Sequence, residues 1–147
     1  MTNDKPLLSG TVFHYPYLWG YEEDAGIEHA KDRTSCLAIS TIGQGGIVFL
    51  VIVAISDQAS DDVMASLEVP ETEIRRAGLN PGRKAYVHVK ECNIDPLDLS
   101  WNFNPNAKQL GRFGKSFTEK IVASIARNLR AGALKKIDRF EPGDNKA

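Results

Sequence analysis

The chain has 147 residues, 42% of them hydrophobic and 25% charged, with a formal net charge of −1. That size and balance fit one soluble globular domain with enough chain to bury a core. A membrane-spanning class is excluded on length, because the longest apolar run, Ile47 to Ile55, is about half of the roughly 20 residues a span requires.

The opening residues, MTNDKPLLSG, read as a loose lead-in, neither signal peptide nor anchor. Thr11 to Tyr17 is β-rich in composition, and Pro16 lacks an N–H. The reading is therefore an edge strand or one carrying a bulge. Leu18 to Asp32 has no clear period and reads as a long loop with at most a helical turn. Loops of that length in compact domains are functional or mobile.

Thr34 to Thr41 reads as a strand, and Gly43-Gln44-Gly45-Gly46 as a hairpin turn. The β-branched run Ile47 to Ile55 marks a central strand covered on both faces. Ser56 to Asp62 is polar loop, and Met64 to Val69 alternates as a short half-buried strand. Pro70, with Glu71 and Glu73, opens a short helix that Gly78 closes. Lys84 to Glu91 alternates Ala85, Val87 and Val89 against Tyr86, His88 and Lys90, as a strand does. Cys92 to Gln109 reads as loop, with Trp101 and Phe103 as plugs.

Ser116 and Glu119 have the spacing of a capping box that starts one long helix. Its apolar face would be Phe117, Ile121, Val122, Ile125 and Leu129, ended by Gly132. A basic segment from Lys135 and a frayed tail follow. These elements predict a mainly β, α+β fold: a small curled barrel with a long C-terminal helix and a short inserted helix. Residues 1–147 form a single domain with loose ends at about 1–9 and 140–147.

The small net charge hides an asymmetry. Residues 107–139 carry nine Lys/Arg against two acidic residues, whereas residues 1–106 carry eight basic against fifteen acidic. Such polarity steers a polyanion to one face, or draws the two halves together within a monomer or across a dimer. Cys36 and Cys92 sit in or beside apolar runs and read as buried thiols of a reducing, cytoplasmic protein rather than as a disulfide.

Among residues that carry chemistry, Gly111-Arg-Phe-Gly-Lys-Ser116 resembles a phosphate loop. However, the glycine the pattern requires is replaced by Gln109, and no β-run precedes it. His14, His29 and His88 lack the paired spacing of a metal site, so neither a metal nor a cofactor is expected. His88 falls on the polar side of its strand as ordinary surface. His29, beside Glu28 and four residues before Arg33, is a candidate for proton transfer. Arg33 stands at the entrance of the second strand, where it could hold a phosphate or join a surface ion pair. Ser56 surfaces directly after the central strand with Asp57 beside it, and also reads as a turn-forming hydroxyl.

Three stretches carry a resemblance. They are G-x-V-x-x-Y-x-Y-L-W at Gly10 to Trp19, then Gly26-x-Glu28-x-x-x-x-Arg33, then the β-run ending Ala54-Ile55-Ser56. Together they resemble the PemK/MazF toxin family of plasmid-maintenance and growth-inhibitor proteins, in a longer branch, over roughly residues 9–130. The resemblance implies an SH3-like barrel, a homodimer, an antitoxin partner and metal-independent cleavage of single-stranded RNA. It assigns catalysis to Arg33, Ser56 and Glu28. This chain departs from the family pattern where Thr34 follows the arginine and Ala54 precedes the isoleucine, both prolines in the family.

In that chemistry the RNA 2′-OH is the nucleophile, so the site needs a proton acceptor, a proton donor and positive charge on the phosphate. Arg33 would clamp the phosphate, Ser56 would donate to a phosphoryl oxygen, and Glu28 would act as base. Rings of the Tyr15–Tyr21 region, Tyr17 and Trp19 foremost, are the candidate stacking surfaces, or else core and dimer contacts. Lys31, Asp57 and Lys90 are the further substrate contacts. The alternative is a non-catalytic nucleic-acid- or protein-binding module on the same fold.

Overall fold

The computed structural model describes residues 8–97 and 108–139. Trp101, Phe103, the expected tail and most of the lead-in lie outside them. Among the described residues there are eight strands: β1 (Thr11–Tyr15), β2 (Arg33–Ile42), β3 (Val48–Ser56), β4 (Ser66–Glu68), β5 (Tyr86–His88), β6 (Glu91–Pro96), β7 (Gln109–Arg112) and β8 (Lys135–Asp138). Three α-helices accompany them, α1 (Gly20–Asp24), α2 (Glu71–Arg76) and α3 (Lys115–Arg130), with a short 3-10 turn at Gln44–Gly46.

The sheet follows the order β4-β5-β3-β2-β1-β7, with β6 branching from β3 and β8 from β6. All pairings are antiparallel except β6 with β8. The expected mainly β class with one long helix and a short inserted one is therefore what the chain adopts. Among the described residues the sheet does not close into the expected barrel, since its hydrogen-bonded path ends at β4 and β7.

The β-branched run forms the hub. β3 pairs with β2 along one edge and with β6 and then β5 along the other. Alternation sends Val53 and Ile55 to one face and Leu50, Ile52 and Ala54 to the opposite face. The first face packs against Phe117, Ile121 and Ile125 of α3 and Ile74 of α2. Each large apolar side chain buried there contributes about 1.5–3 kcal/mol. The second face packs against Phe13, Tyr15, Tyr17 and Leu37, with Trp19 at its margin.

β1 lies between β2 and β7, and its pairing to β7 shifts register between Val12 and Phe13. The bulge alternative holds, and Pro16 falls just past the strand. Residues 92–109 are not all loop, because β6 runs through Glu91–Pro96. Asn93 and Asp95 weaken the β signal locally, but both are fully buried and tied down by tertiary bonds. Pairing with β6 likewise turns the basic segment at Lys135 into β8.

The start of α3 also differs from the expectation. Gly114 is its N-cap, and the capping acceptor is Glu73 of α2, whose Oε1 takes the Gly114 N–H at 2.8 Å. Ser116 lies inside the first turn. A strand, β7, does precede this segment, but the helix start is already filled by a carboxylate. At the other end Leu129 is 51% exposed, while Asn128 turns inward and donates to the carbonyls of Met64 and Val89. Those strand-end carbonyls needed a donor more than the face needed another apolar residue.

Gly78 ends α2 at φ 73°, and its Cα sits so close to Leu110 that an added Cβ would lie 2.2 Å from the Leu110 carbonyl oxygen. Both cysteines are buried free thiols whose pKa values burial raises. No helix among the described residues is long and apolar enough to cross a membrane.

Candidate functional site

Strand register sets Arg33 and Ser56 at neighbouring strand ends. Arg33 lies opposite Tyr15 on β1, and Ser35 lies opposite Ala54 on β3. Continuing that antiparallel register to the strand ends sets Arg33 against Ser56, and directly opposed residues share a face. Ser56 in turn pairs with Tyr86 on β5, which brings His88 to the same face. The Ser56 Oγ and the His88 Nε2 are 2.8 Å apart.

Arg33 is held firmly. Its Nη1 donates to Glu22 Oε1 at 2.6 Å and to the Tyr17 carbonyl at 2.7 Å, and its Nη2 donates to Glu22 Oε2 at 2.9 Å. These bonds hold the Glu22 carboxyl below its ordinary range and raise the guanidinium further. Three of five N–H groups are thereby used. The Nε–H and the second Nη2 hydrogen remain, in a side chain that is 23% exposed.

A continuous set of contacts links the two residues. Glu22 Oε1 also accepts the Trp19 N–H at 3.0 Å. The Trp19 ring meets His88 edge-on at 5.1 Å between centroids and stacks against Tyr21 at 6.3 Å. His88 then reaches Ser56. The loop that carries Trp19 is fixed at several points. Asn93 bonds both the N–H and the carbonyl of Leu18 at 2.8 Å, and Glu91 accepts the Gly20 N–H. Lys135 donates to Asp24.

Burial lowers the His88 pKa below 6.5, so the imidazole is neutral at pH 7. A neutral imidazole 2.8 Å from a hydroxyl can accept or pass on a proton. The expectation that His88 is ordinary surface is corrected: it is half-buried and bonded. Glu91 is pushed up by burial, the opposite of Glu22, although both carboxylates serve the same loop.

The other sequence candidates are dispersed. Glu28, His29 and Lys31 are exposed on the coil between α1 and β2. It is Glu22, one α1 residue away from the aromatic run, that meets Arg33. Tyr17 is fully enclosed with its hydroxyl on Glu91, so it cannot stack a base; the exposed ring in this region is Tyr21, at 69%. Asp57 faces Arg83 at 3.5 Å, and Lys90 pairs with Asp62. Ser56 also makes the turn its position suggested, since its Oγ donates to the Gln58 carbonyl and accepts the Gln58 N–H. Thr34 and Ala54 both sit in paired strands, opposite His14 and Ser35. A proline has no N–H to offer such a ladder.

Sequence reasoning missed the site roles of Glu22 and His88, whereas Tyr21 lay within the aromatic stretch it marked for stacking. The His88 signal was its strand partner, which only the fold supplies. Compared with protein-family models and with curated proteins, the chain matches none.

Proposed function

We propose that this face binds and cleaves single-stranded RNA without a metal, as the toxin-type endoribonuclease and growth inhibitor that the resemblance to the PemK/MazF family suggests. One observation carries the reading: Arg33 and Ser56 stand at adjoining strand ends on one face, and Ser56 is bonded to a neutral His88. A cytoplasmic homodimer restrained by an antitoxin belongs to the same proposal and rests on the resemblance alone.

The remaining Nε–H and Nη2–H of Arg33 form a fork that suits two phosphoryl oxygens. His88 takes the proton from the ribose 2′-OH, whose oxygen attacks phosphorus. The bond to the 5′-oxygen breaks, leaving a 2′,3′-cyclic phosphate, and the departing oxygen takes a proton from solvent. Ser56 positions His88, and its hydroxyl swings from the Gln58 carbonyl to donate to a phosphoryl oxygen as charge builds there. Trp19 and Tyr21 supply the stacking surface in place of Tyr17.

A second reading has its own support. Glu22 already neutralises Arg33, which suits a module that binds without cutting. Incubating the protein with a mixed-sequence RNA and excess chelator separates the two. Products ending in a cyclic phosphate, lost in His88→Ala, support the enzyme. Intact RNA bound by folded protein leaves the module, and neither binding nor cutting overturns both.

A further inference from the structure

A small cavity opens at the same strand ends, with Ser56 and Asp57 in its wall. It measures about 180 Å³, and its wall includes Thr34, Ile55, Leu79, Asn80, Arg83 and Ala85. We infer that this cavity receives one unstacked base of a bound RNA strand, next to the phosphate held at Ser56. The inference deepens the RNA-binding reading and rests on it.

Three features point to a base. Size comes first: the volume falls short of the roughly 300–1,000 Å³ that hold drug-sized ligands, and it matches one flat heterocycle. Composition comes second. Ile55 and Ala85 are each 8% exposed, and with the partly buried Leu79 they give an apolar floor of the kind a ring face needs. Polarity comes third. Asn80 uses its Oδ1 to accept the Gly82 N–H, which fixes the side chain and leaves its amide hydrogens for a ligand. Thr34, which carries a hydroxyl, lines the same wall. Asp57 and Arg83, only loosely paired at 3.5 Å, offer an acceptor and a donor at the rim. An apolar floor with separate donors and acceptors at its edge is how proteins read splayed-out bases.

Position adds to the case. Thr34 and Ile55 directly precede or follow Arg33 and Ser56 in the chain and point the other way. A strand whose phosphate sits on Arg33 and Ser56 therefore has an adjacent nucleotide at the end of β3, where Ser56 itself forms part of the cavity wall.

The test is a titration of the full chain with each of the four nucleoside 5′-monophosphates, and with ribose 5-phosphate, into the millimolar range. The amide resonances of Asn80, Arg83 and Ala85 are followed. Saturable shifts with one or more nucleotides, absent with ribose 5-phosphate, are expected. Thr34→Val and Asn80→Asp, which keep shape and the turn bond to Gly82, should each weaken that response about fivefold, the worth of one hydrogen bond. No shift with any nucleotide, or the same shift with ribose 5-phosphate, overturns the inference. The readout needs no cleavage, so a protein that takes a base here but cuts no RNA sinks the nuclease reading alone. A protein that cuts RNA without these shifts sinks the cavity alone.

Discussion

Glu22 grips Arg33 through both carboxylate oxygens, at 2.6 and 2.9 Å, and the same carboxylate accepts the Trp19 N–H. One acidic side chain thus fixes the orientation of the arginine and the position of the nearest indole. The pair joins α1 to the entrance of β2 and keeps the aromatic loop against the second apolar cluster.

Replacing Glu22 with Gln should lower unfolding stability by about 1–2 kcal/mol, as expected for loss of hydrogen bonds to a charged group. Because the folded carboxyl is held below the ordinary glutamate value of 4.5, its contribution is complete above that pH and is lost as pH falls through the folded value. Urea melts over an acid series should show that loss in the wild type and a flatter curve in Glu22→Gln. Equal slopes would mean that the ion pair does not hold the loop.

His88→Ala should reduce RNA cleavage by about 10²–10⁴-fold, the range for a positioned proton-transfer group. The ring is only half-buried, at the end of a three-residue strand, so the far-UV signal should be unchanged. Ser56→Ala should cost less, because the imidazole remains. A variant lacking His88 that cleaves at the wild-type rate removes it from the reaction.

The pH dependence of cleavage follows from the direction of the His88 shift. Its folded pKa lies below 6.5, so the base form persists at lower pH than a free imidazole would allow. The rate should fall with acid at a midpoint below 6.5. Single-turnover rates around that pH supply the test, and a midpoint above 6.5 contradicts the assignment.

Asn93 is fully buried and holds Leu18 by two bonds while accepting from Arg139. Asn93→Ala leaves the Leu18 N–H and carbonyl without these partners, at a cost of about 1–3 kcal/mol. Near-UV circular dichroism should report loosening around Trp19. An unaltered spectrum would show that Glu22 and Glu91 suffice to dock the loop.

Gly78→Ala tests the packing between the α2 end and β7. At φ 73° a side chain adds strain of about 1–2 kcal/mol, and the close Leu110 carbonyl adds to it. The melting temperature should fall clearly, whereas Gly132→Ala, also at positive φ but with open space around it, should fall less.

The sequence by itself determined the elements whose signal is local. The β-branched run at Ile47 to Ile55 became β3, the glycines at 43–46 became the turn before it, and Gly78 and Gly132 ended their helices, because periodicity and positive φ act within a few residues. Tertiary structure decided what depends on distant partners. Asn93 and Asp95 lie in a strand because Leu18 and Tyr15 bond them, and Glu73 caps α3 from 41 residues away. His88 joined Ser56 because β5 pairs with the end of β3, and Tyr17 was sealed inside while Tyr21 stayed out. The physical reason is one and the same: propensity is set by neighbours in the chain, whereas burial and hydrogen-bond partners are set by neighbours in space.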